Sequence, residues 1–271
     1  MVSIGKIPCT VEVLTLNSGK TLRACLESVK DFNDTIILDG NSTDDTLAIA
    51  KEYGARIYPQ KESTEKNIRI EDFSEIRNKG VALAKNKWFT FVDSDEYLSK
   101  EAVSEIRDIV AKGENKKQLA FRRPRKFVLN GNVIERAATY PNYQIRFFYL
   151  PATLGFIKKV HEKIKLKPGI LVGNLVYPEY VPLVPLSVAR NKWNRYLDIE
   201  QEIFREISLH RLAKGVWSNT LKTLKYTVKY FWVMITQKGK AMPFAYEYYG
   251  AVYHMQLIYR MMKAYILKIT R

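Results

Sequence analysis

The sequence predicts an α/β fold: a Rossmann-like, mostly parallel sheet with helices on both faces, then an antiparallel extension of the sheet and a helical C-terminal tail. Two observations carry the first part. Apolar runs of strand length alternate with amphipathic stretches of helical period as far as Val92, and the turns between them are rich in Asn, Ser, Asp and Gly, which cap helices. The third observation is the helical apolar spacing beyond Leu186, bordered by Lys and Arg.

The elements follow in order. Val11–Leu16 reads as a buried strand, and Asn17-Ser18-Gly19 turns into a helix carrying Leu22, Cys25, Leu26 and Val29. Thr35–Leu38 is a second strand, closed by the turn Asp39–Asp44, which opens a helix with Leu47, Ile49 and Ala50. Ala55–Tyr58, a loop and a helix from about Phe73 to Lys85 make the third unit. Trp88–Val92 then ends in Asp93-Ser94-Asp95. In such sheets ligands sit beyond the carboxyl ends of the strands, where Thr15, Asn17, Asp39, Asp93 and Asp95 fall.

Two carboxylates one residue apart offer oxygens to a hard divalent cation, Mn²⁺ or Mg²⁺, which can in turn hold a diphosphate. Asp and Ser are also ordinary turn residues, so the pair means little alone. No G-x-G-x-x-G follows the first strand and no G-x-x-x-x-G-K-[ST] occurs, which leaves a metal with nearby Arg or Lys as the economical way to neutralise phosphates.

Four segments in this order resemble the family 2 glycosyltransferases with the A-type nucleotide-sugar fold: Val13–Ser18, Ile36–Thr46, Phe73–Asn78 and Trp88–Glu96. The likeness covers roughly the first 110 residues. Within the family the chain is most similar to the lipopolysaccharide core β-glucosyltransferases, through Arg77-Asn78, the acidic run ending at Glu96, and Val160-His161-Glu162. The resemblance implies a uridine-diphosphate sugar as donor, with Thr15, Asn17 and Asp39 lining the nucleoside pocket and Asp39 accepting from a uracil N–H. It implies Arg77 at the base or diphosphate, Asp93 near ribose and metal, and Asp95 as the direct metal ligand. It also implies a helix from about Ala189 to Lys214 closing over the diphosphate with Lys192, Arg195 and Tyr196. As plain alternatives, Asp39 forms a turn and Arg77 is a solvated helix residue; Asn78 reads as structural.

Beyond Val110 the polar linker Lys112–Gln118 leads to Leu119-Ala120-Phe121 and the basic cluster Arg122-Arg123-Pro124-Arg125-Lys126. Phe127–Leu129, a hairpin turn at Asn130-Gly131-Asn132 and Gln144–Tyr149 predict the antiparallel extension, where an acceptor glycan or glycolipid would bind. The basic cluster is either a solvated strand face or a receiver for an anionic acceptor. Glu162 is the candidate catalytic base, since a carboxylate in a partly apolar pocket gains basicity, and His161 a candidate metal or phosphate contact. A surface charge pair is the alternative for both. His210 and His254 fall in helical patterns as packing or surface residues.

The 271-residue chain, 46% hydrophobic, has core enough without disulfides. Its two cysteines, Cys9 and Cys25, read as reduced and buried, and Met1–Lys6 carries no charged-then-apolar signal region, so a cytoplasmic location is expected. From Leu186 onward fifteen basic residues face five acidic ones, supplying ten of the formal +16. Leu221, Leu224, Val228, Phe231, Trp232 and Ile235 form one stripe; Val252, Met255, Ile258, Tyr259, Met262, Tyr265, Ile266 and Ile269 form another. No uncharged window approaches the ~18 residues of a membrane span. Such helices suit the inner face of an anionic membrane, or packing against each other or across a homo-oligomer. The expected organisation is therefore 1–110 for nucleotide-sugar binding, 111–188 for the acceptor and 189–271 for the basic helical extension. A nucleotidyltransferase is the alternative enzyme, but Asn17-Ser18-Gly19-Lys20 is a poor substitute for its Gly-rich loop. A nucleic-acid-binding protein is suggested by charge alone, without an aromatic stacking platform.

Overall fold

The computed structural model describes residues 5–113, 118–159, 161–204 and 207–270. Met1–Ile4, linker residues Glu114–Lys117, Val160 of the Val-His-Glu segment, Arg205, Glu206 and Arg271 lie outside the described residues, as do the side chains of Lys192, Ile199, Glu202 and Ile203. The chain divides into two compact units, Met1–Phe127 with Pro141–Pro182, and Val128–Tyr140 with Leu183–Arg271.

In the first unit, β1 (Ile7–Thr15), α1 (Leu22–Ser28), β2 (Phe32–Asp39), α2 (Thr46–Glu52), β3 (Arg56–Pro59), α3 (Phe73–Leu83) and β4 (Trp88–Asp93) follow the expected alternation. β5 (Tyr97–Leu98), α4 (Lys100–Lys112), β6 (Gln118–Leu129), β8 (Tyr143–Tyr149), β9 (Thr153–Ile157), β10 (Lys163–Leu166), β11 (Leu171–Asn174) and β12 (Glu179–Pro182) complete it, while β7 (Asn132–Val133) belongs to the second unit. The main sheet runs β3-β2-β1-β4-β8-β6-β12-β5. The first three neighbouring pairs are parallel, and β8 joins β4 and β6 antiparallel, as predicted for the extension. Between β1 and β4 the strand order reverses, which opens a crevice beyond their carboxyl ends; the register sets Leu14 beside Asp93.

Alternation along β1 explains the two faces. Val11 and Val13 pack with Leu22, Cys25 and Leu26 of α1 and Ile106 of α4, whereas Leu14 packs with Ile36, Leu38 and Ile76 of α3. Cys9 and Cys25 are free and buried in the first core. α3 is capped by Asp72, which accepts from Glu75 N, and α4 by Ser99, which accepts from Ala102 N.

The second unit holds α5 (Leu186–Ile203), α6 (Leu209–Thr236) and α7 (Phe244–Ile269) with the hairpin after β6. Asn130 (φ 50°) and Gly131 (φ 75°) both take the left-handed turn that an Asn-Gly hairpin favours. The single helix expected from Ala189 to Lys214 is instead two, and Ser208 starts the second by accepting from Arg211 N at 3.4 Å. Nor do the apolar stripes pack on each other. α6 and α7 meet where Gly215 lies under Met261 and Gly250 under Tyr226, so the stripe residues Leu224, Val228, Phe231, Trp232 and Ile235 stay exposed, as do Met255, Tyr259, Met262, Ile266 and Ile269. His254 bonds the Asn219 side chain at 3.0 Å, in keeping with a packing role. Among the described residues no helix is long and apolar enough to cross a membrane.

Candidate functional site

The turns that end β1 and β2 are built from each other. Thr15 Oγ1 donates to Asp39 Oδ1 at 2.7 Å, Ser42 Oγ to the same oxygen at 2.6 Å, and Ser42 N to Oδ2 at 2.7 Å. Asp39 is thus buried and first of all an anchor for its own turn, with one acceptor position left on Oδ2. Asn17 accepts from Thr43 N at 2.9 Å and donates to Asn67 at 2.9 Å. Asn17, Asn41 and Asn67 adopt φ of 49°, 57° and 59°, a region Asn tolerates far better than branched residues. Across the crevice Ser18 and Ser94 hydroxyls stand 2.8 Å apart, joining the first turn to the acidic one.

Behind the crevice lies an ionic cluster. Arg77 of α3, 2% exposed, donates to Glu12 at 2.7 Å and to Asp93 at 2.7 Å, and its Nε lies 3.5 Å from Glu162. Arg146 of β8 donates to the other Asp93 oxygen at 3.1 Å. Both guanidinium groups stack on the Phe91 ring, at 4.2 and 4.7 Å from its centroid. The cluster continues through Glu96, paired with Arg125, to Glu179, which takes Arg123 at 2.7 Å and Arg125 at 2.9 Å. Gly80 makes room for it, since a Cβ there would lie 1.8 Å from Glu12 Oε1.

Five carboxylates share four guanidinium groups, so the cluster retains a proton more readily than isolated acids do. Burial, opposed by Arg77, pushes the Glu12 carboxyl up to about 7. Burial and the neighbouring Asp93 charge push Glu96 up to about 8. Burial also opposes the Asp93 charge, but Arg146 and Arg77 outweigh it and hold that carboxyl well below the usual range.

Asn78 works on the opposite side of α3. Its amide donates to Phe156 O at 3.0 Å and accepts from Phe156 N at 2.7 Å, pairing with β9 as a strand would, which fits the structural role expected of it. Phe73 N donates to Lys159 O at 2.9 Å. These bonds fix the connection between β9 and β10, and hence Glu162 beside Arg77.

Several expectations change. Arg77 is buried, not a solvated helix residue. Glu162, 17% exposed, faces Arg77 in place of the partly apolar pocket. The run Arg122–Lys126 is not one solvated face: Arg122 is exposed, whereas Arg123 and Arg125 point into the cluster, because strand alternation sends every second residue inward. Both Asp93 oxygens are engaged by arginine, so a direct metal bond from Asp93 has competitors; Asp95 is half-buried and His161 exposed. Arg195 is exposed on α5, in the second unit. The reading from sequence missed Glu12, Arg146 and Glu179, and named Glu96 only as the end of the acidic run. The available signal was a charge set inside an apolar strand, as in Val11-Glu12-Val13 and Ile145-Arg146-Phe147, because a buried charge must have a partner.

The family model described as Glycosyl transferase family 2 matches residues 10–159. The SPbeta prophage-derived glycosyltransferase SunS of Bacillus subtilis (strain 168) is 38% identical over 101 residues, which is 37% of this chain and 23% of SunS. An uncharacterized glycosyltransferase of Rickettsia felis is 33% identical over 110 residues, 40% of this chain and 36% of that protein. The matched stretch is therefore well under half the length of these relatives. Among solved structures, S. aureus TarS 1-349 in complex with UDP-GlcNAc is 20% identical with a TM-score of 0.49, covering 78% of this chain and 70% of that one. At that score the strand order, and not the likeness, carries the fold. Since the family match takes in more than half of the chain's 271 residues, from β1 to the edge of the loop that holds Glu162, the chain belongs to glycosyltransferase family 2.

Proposed function

We propose that the chain is a metal-dependent, inverting glycosyltransferase that moves a hexose from a uridine-diphosphate sugar to a hydroxyl of a membrane-associated glycan or glycolipid, in the manner of the lipopolysaccharide core β-glucosyltransferases. The observation that carries the reading is Arg77, one guanidinium that reaches both Asp93 at the end of β4 and Glu162 on the β9–β10 connection. It ties a donor-side carboxylate to a candidate base beside the crevice where α/β sheets take their ligands.

Among the described residues no three His, Cys, Asp or Glu side chains converge as a metal cage. With Asp93 held by two arginines, Asp95 is the residue that would hold such a cation directly, with Asp93 and His161 as further candidate contacts, since carboxylate oxygens suit a hard divalent ion. Bound there, Mn²⁺ or Mg²⁺ supplies positive charge against the departing diphosphate. Thr15 and Asn17 line the nucleoside pocket, and Asp39 offers its remaining Oδ2 position to a uracil N–H. Glu162 accepts the proton of the acceptor hydroxyl while Arg77 orients its carboxylate.

The membrane part of the proposal rests on α6. Its exposed Leu224, Val228, Phe231, Trp232 and Ile235 are bordered by Lys222, Lys225 and Lys229, the combination that suits the cytoplasmic, anionic face of a bilayer.

A thermal-shift panel of nucleotide sugars with and without Mn²⁺ tests donor and metal together, because a ligand that binds the folded state raises its apparent stability. Uridine-diphosphate sugars are expected to raise the midpoint only with metal present. Equal responses to guanosine-diphosphate sugars, or no response at all, would remove the donor assignment.

A further inference from the structure

Five of the ten residues from Lys158 to Lys167 are lysines, and the one acid among them is Glu162. Lys158, Lys159, Lys163, Lys165 and Lys167 are all exposed, while Ile164 and Phe156 turn inward to the core beside Phe89 and Phe148. Along β10 alternate side chains face solvent, so successive lysines stand about 7 Å apart. Register pairs Lys163 with Ile157, which sets Lys158 and Lys163 at the two ends of the connection that holds Glu162. Lys158, Lys163, Lys165 and Lys167 make no ion pair with the described residues. Two non-glycine residues in that connection, Lys158 (φ 78°) and His161 (φ 53°), take left-handed backbone, a strain that persists where surrounding structure demands it.

We propose that this lysine strip binds the acceptor, and that the acceptor is a polyanionic saccharide whose phosphate or carboxylate groups lie along β10 while its hydroxyl reaches Glu162. The inference rests on the glycosyltransferase reading and adds the chemical class of its second substrate. It also moves the anion site away from Arg122–Lys126, whose Arg123 and Arg125 are spent on Glu179 and Glu96. Edge lysines can serve only to keep a strand from pairing with a neighbour, but such protection needs one or two charges. It does not require them to flank a carboxylate that contacts Arg77.

The test uses the full chain with UDP and Mn²⁺, titrated with a phosphorylated mannose oligosaccharide and with the same oligosaccharide after phosphatase treatment, at low and raised salt. The phosphorylated form is expected to bind more tightly by roughly tenfold, the combined worth of three exposed ion pairs, and to lose that advantage as salt rises. The triple variant K163Q/K165Q/K167Q is expected to lose the preference while binding UDP unchanged. Equal binding of the two oligosaccharides, retention of the preference by the variant, or tighter binding of a single-stranded RNA of equal charge would each overturn the proposal. If UDP fails to bind the wild-type chain, the glycosyltransferase reading falls instead, and the oligosaccharide arms still report whether the strip prefers phosphate.

Discussion

Asp95 and Glu162 stand for the two halves of the proposed transfer, and their substitutions separate. Glu162→Gln keeps shape but cannot take a proton, so turnover is expected to drop by roughly 10²-fold or more with donor affinity nearly unchanged; a loss confined to donor binding would move Glu162 into the nucleotide or metal shell. Asp95→Ala is expected to abolish metal-dependent UDP binding, read by calorimetry, without lowering the thermal midpoint, since the side chain is half-buried at a strand end. Unchanged binding would take Asp95 out of the site. The strand ends themselves were legible, because short apolar runs close there in turns rich in Asn, Ser and Asp. Arg146 and Glu12 were hidden for a physical reason. Whether a charge within a strand is buried depends on partners from distant segments, here Asp93 and Arg77, and no local period reports those partners.

At the level of elements, α3 does two jobs that only its packing reveals. Arg77 faces the cluster and Asn78 faces β9, with Gly80 allowing the close approach of Glu12. Gly80→Ala gains about 1 kcal/mol of helix propensity but overpacks a fully buried carboxylate at about 1–3 kcal/mol. Urea unfolding is expected to show a net loss of stability, and an unchanged or raised midpoint would mean that Glu12 can swing aside. The exposed face of α6 makes a separate prediction. Changing Lys222, Lys225 and Lys229 to Glu is expected to abolish co-sedimentation with anionic vesicles at low salt, each lysine near such a surface being worth on the order of 1 kcal/mol. Equal recovery in the supernatant for wild type and variant would assign the face to a second copy of the chain. β1 to β4 were legible because their apolar runs are short and bounded by caps. The break before α6 was not, because apolar spacing continues across it and only the cap at Ser208 marks the new start.

For the whole molecule, the ionic cluster sets how stability responds to pH. Glu12 and Glu96 have folded-state values raised to about 7 and about 8, above those of an unfolded chain. The folded state therefore binds the extra protons, and stability is full below about pH 4.5 for these groups and falls as pH rises through 7 and 8. Asp93, held low by Arg146 and Arg77 once burial is outweighed, contributes in the opposite sense and is lost only in stronger acid. The free energy of unfolding is expected to be highest near pH 5 and to decline toward pH 8, by about 3 kcal/mol for Glu12 alone, with the thermal midpoint falling alongside it. The double variant E12Q/E96Q is expected to flatten that decline, and a wild-type profile without it would show that both carboxyls ionise freely.

The division of the chain has a consequence for its synthesis. Residues Val128–Tyr140 interrupt the first unit, and their partners are made much later: Ala138 N bonds Glu247, which lies 109 residues downstream. At ~5–20 residues per second a ribosome needs about 5–20 s to cover that distance. Through that interval the excursion, with Ile134, Ala137 and Ala138 that end up buried, protrudes from a nascent sheet that can already be closing on either side of it. A chain stalled just past Pro182 should therefore be cut by protease at this excursion, and a chain released after α7 should resist at the same peptide bonds.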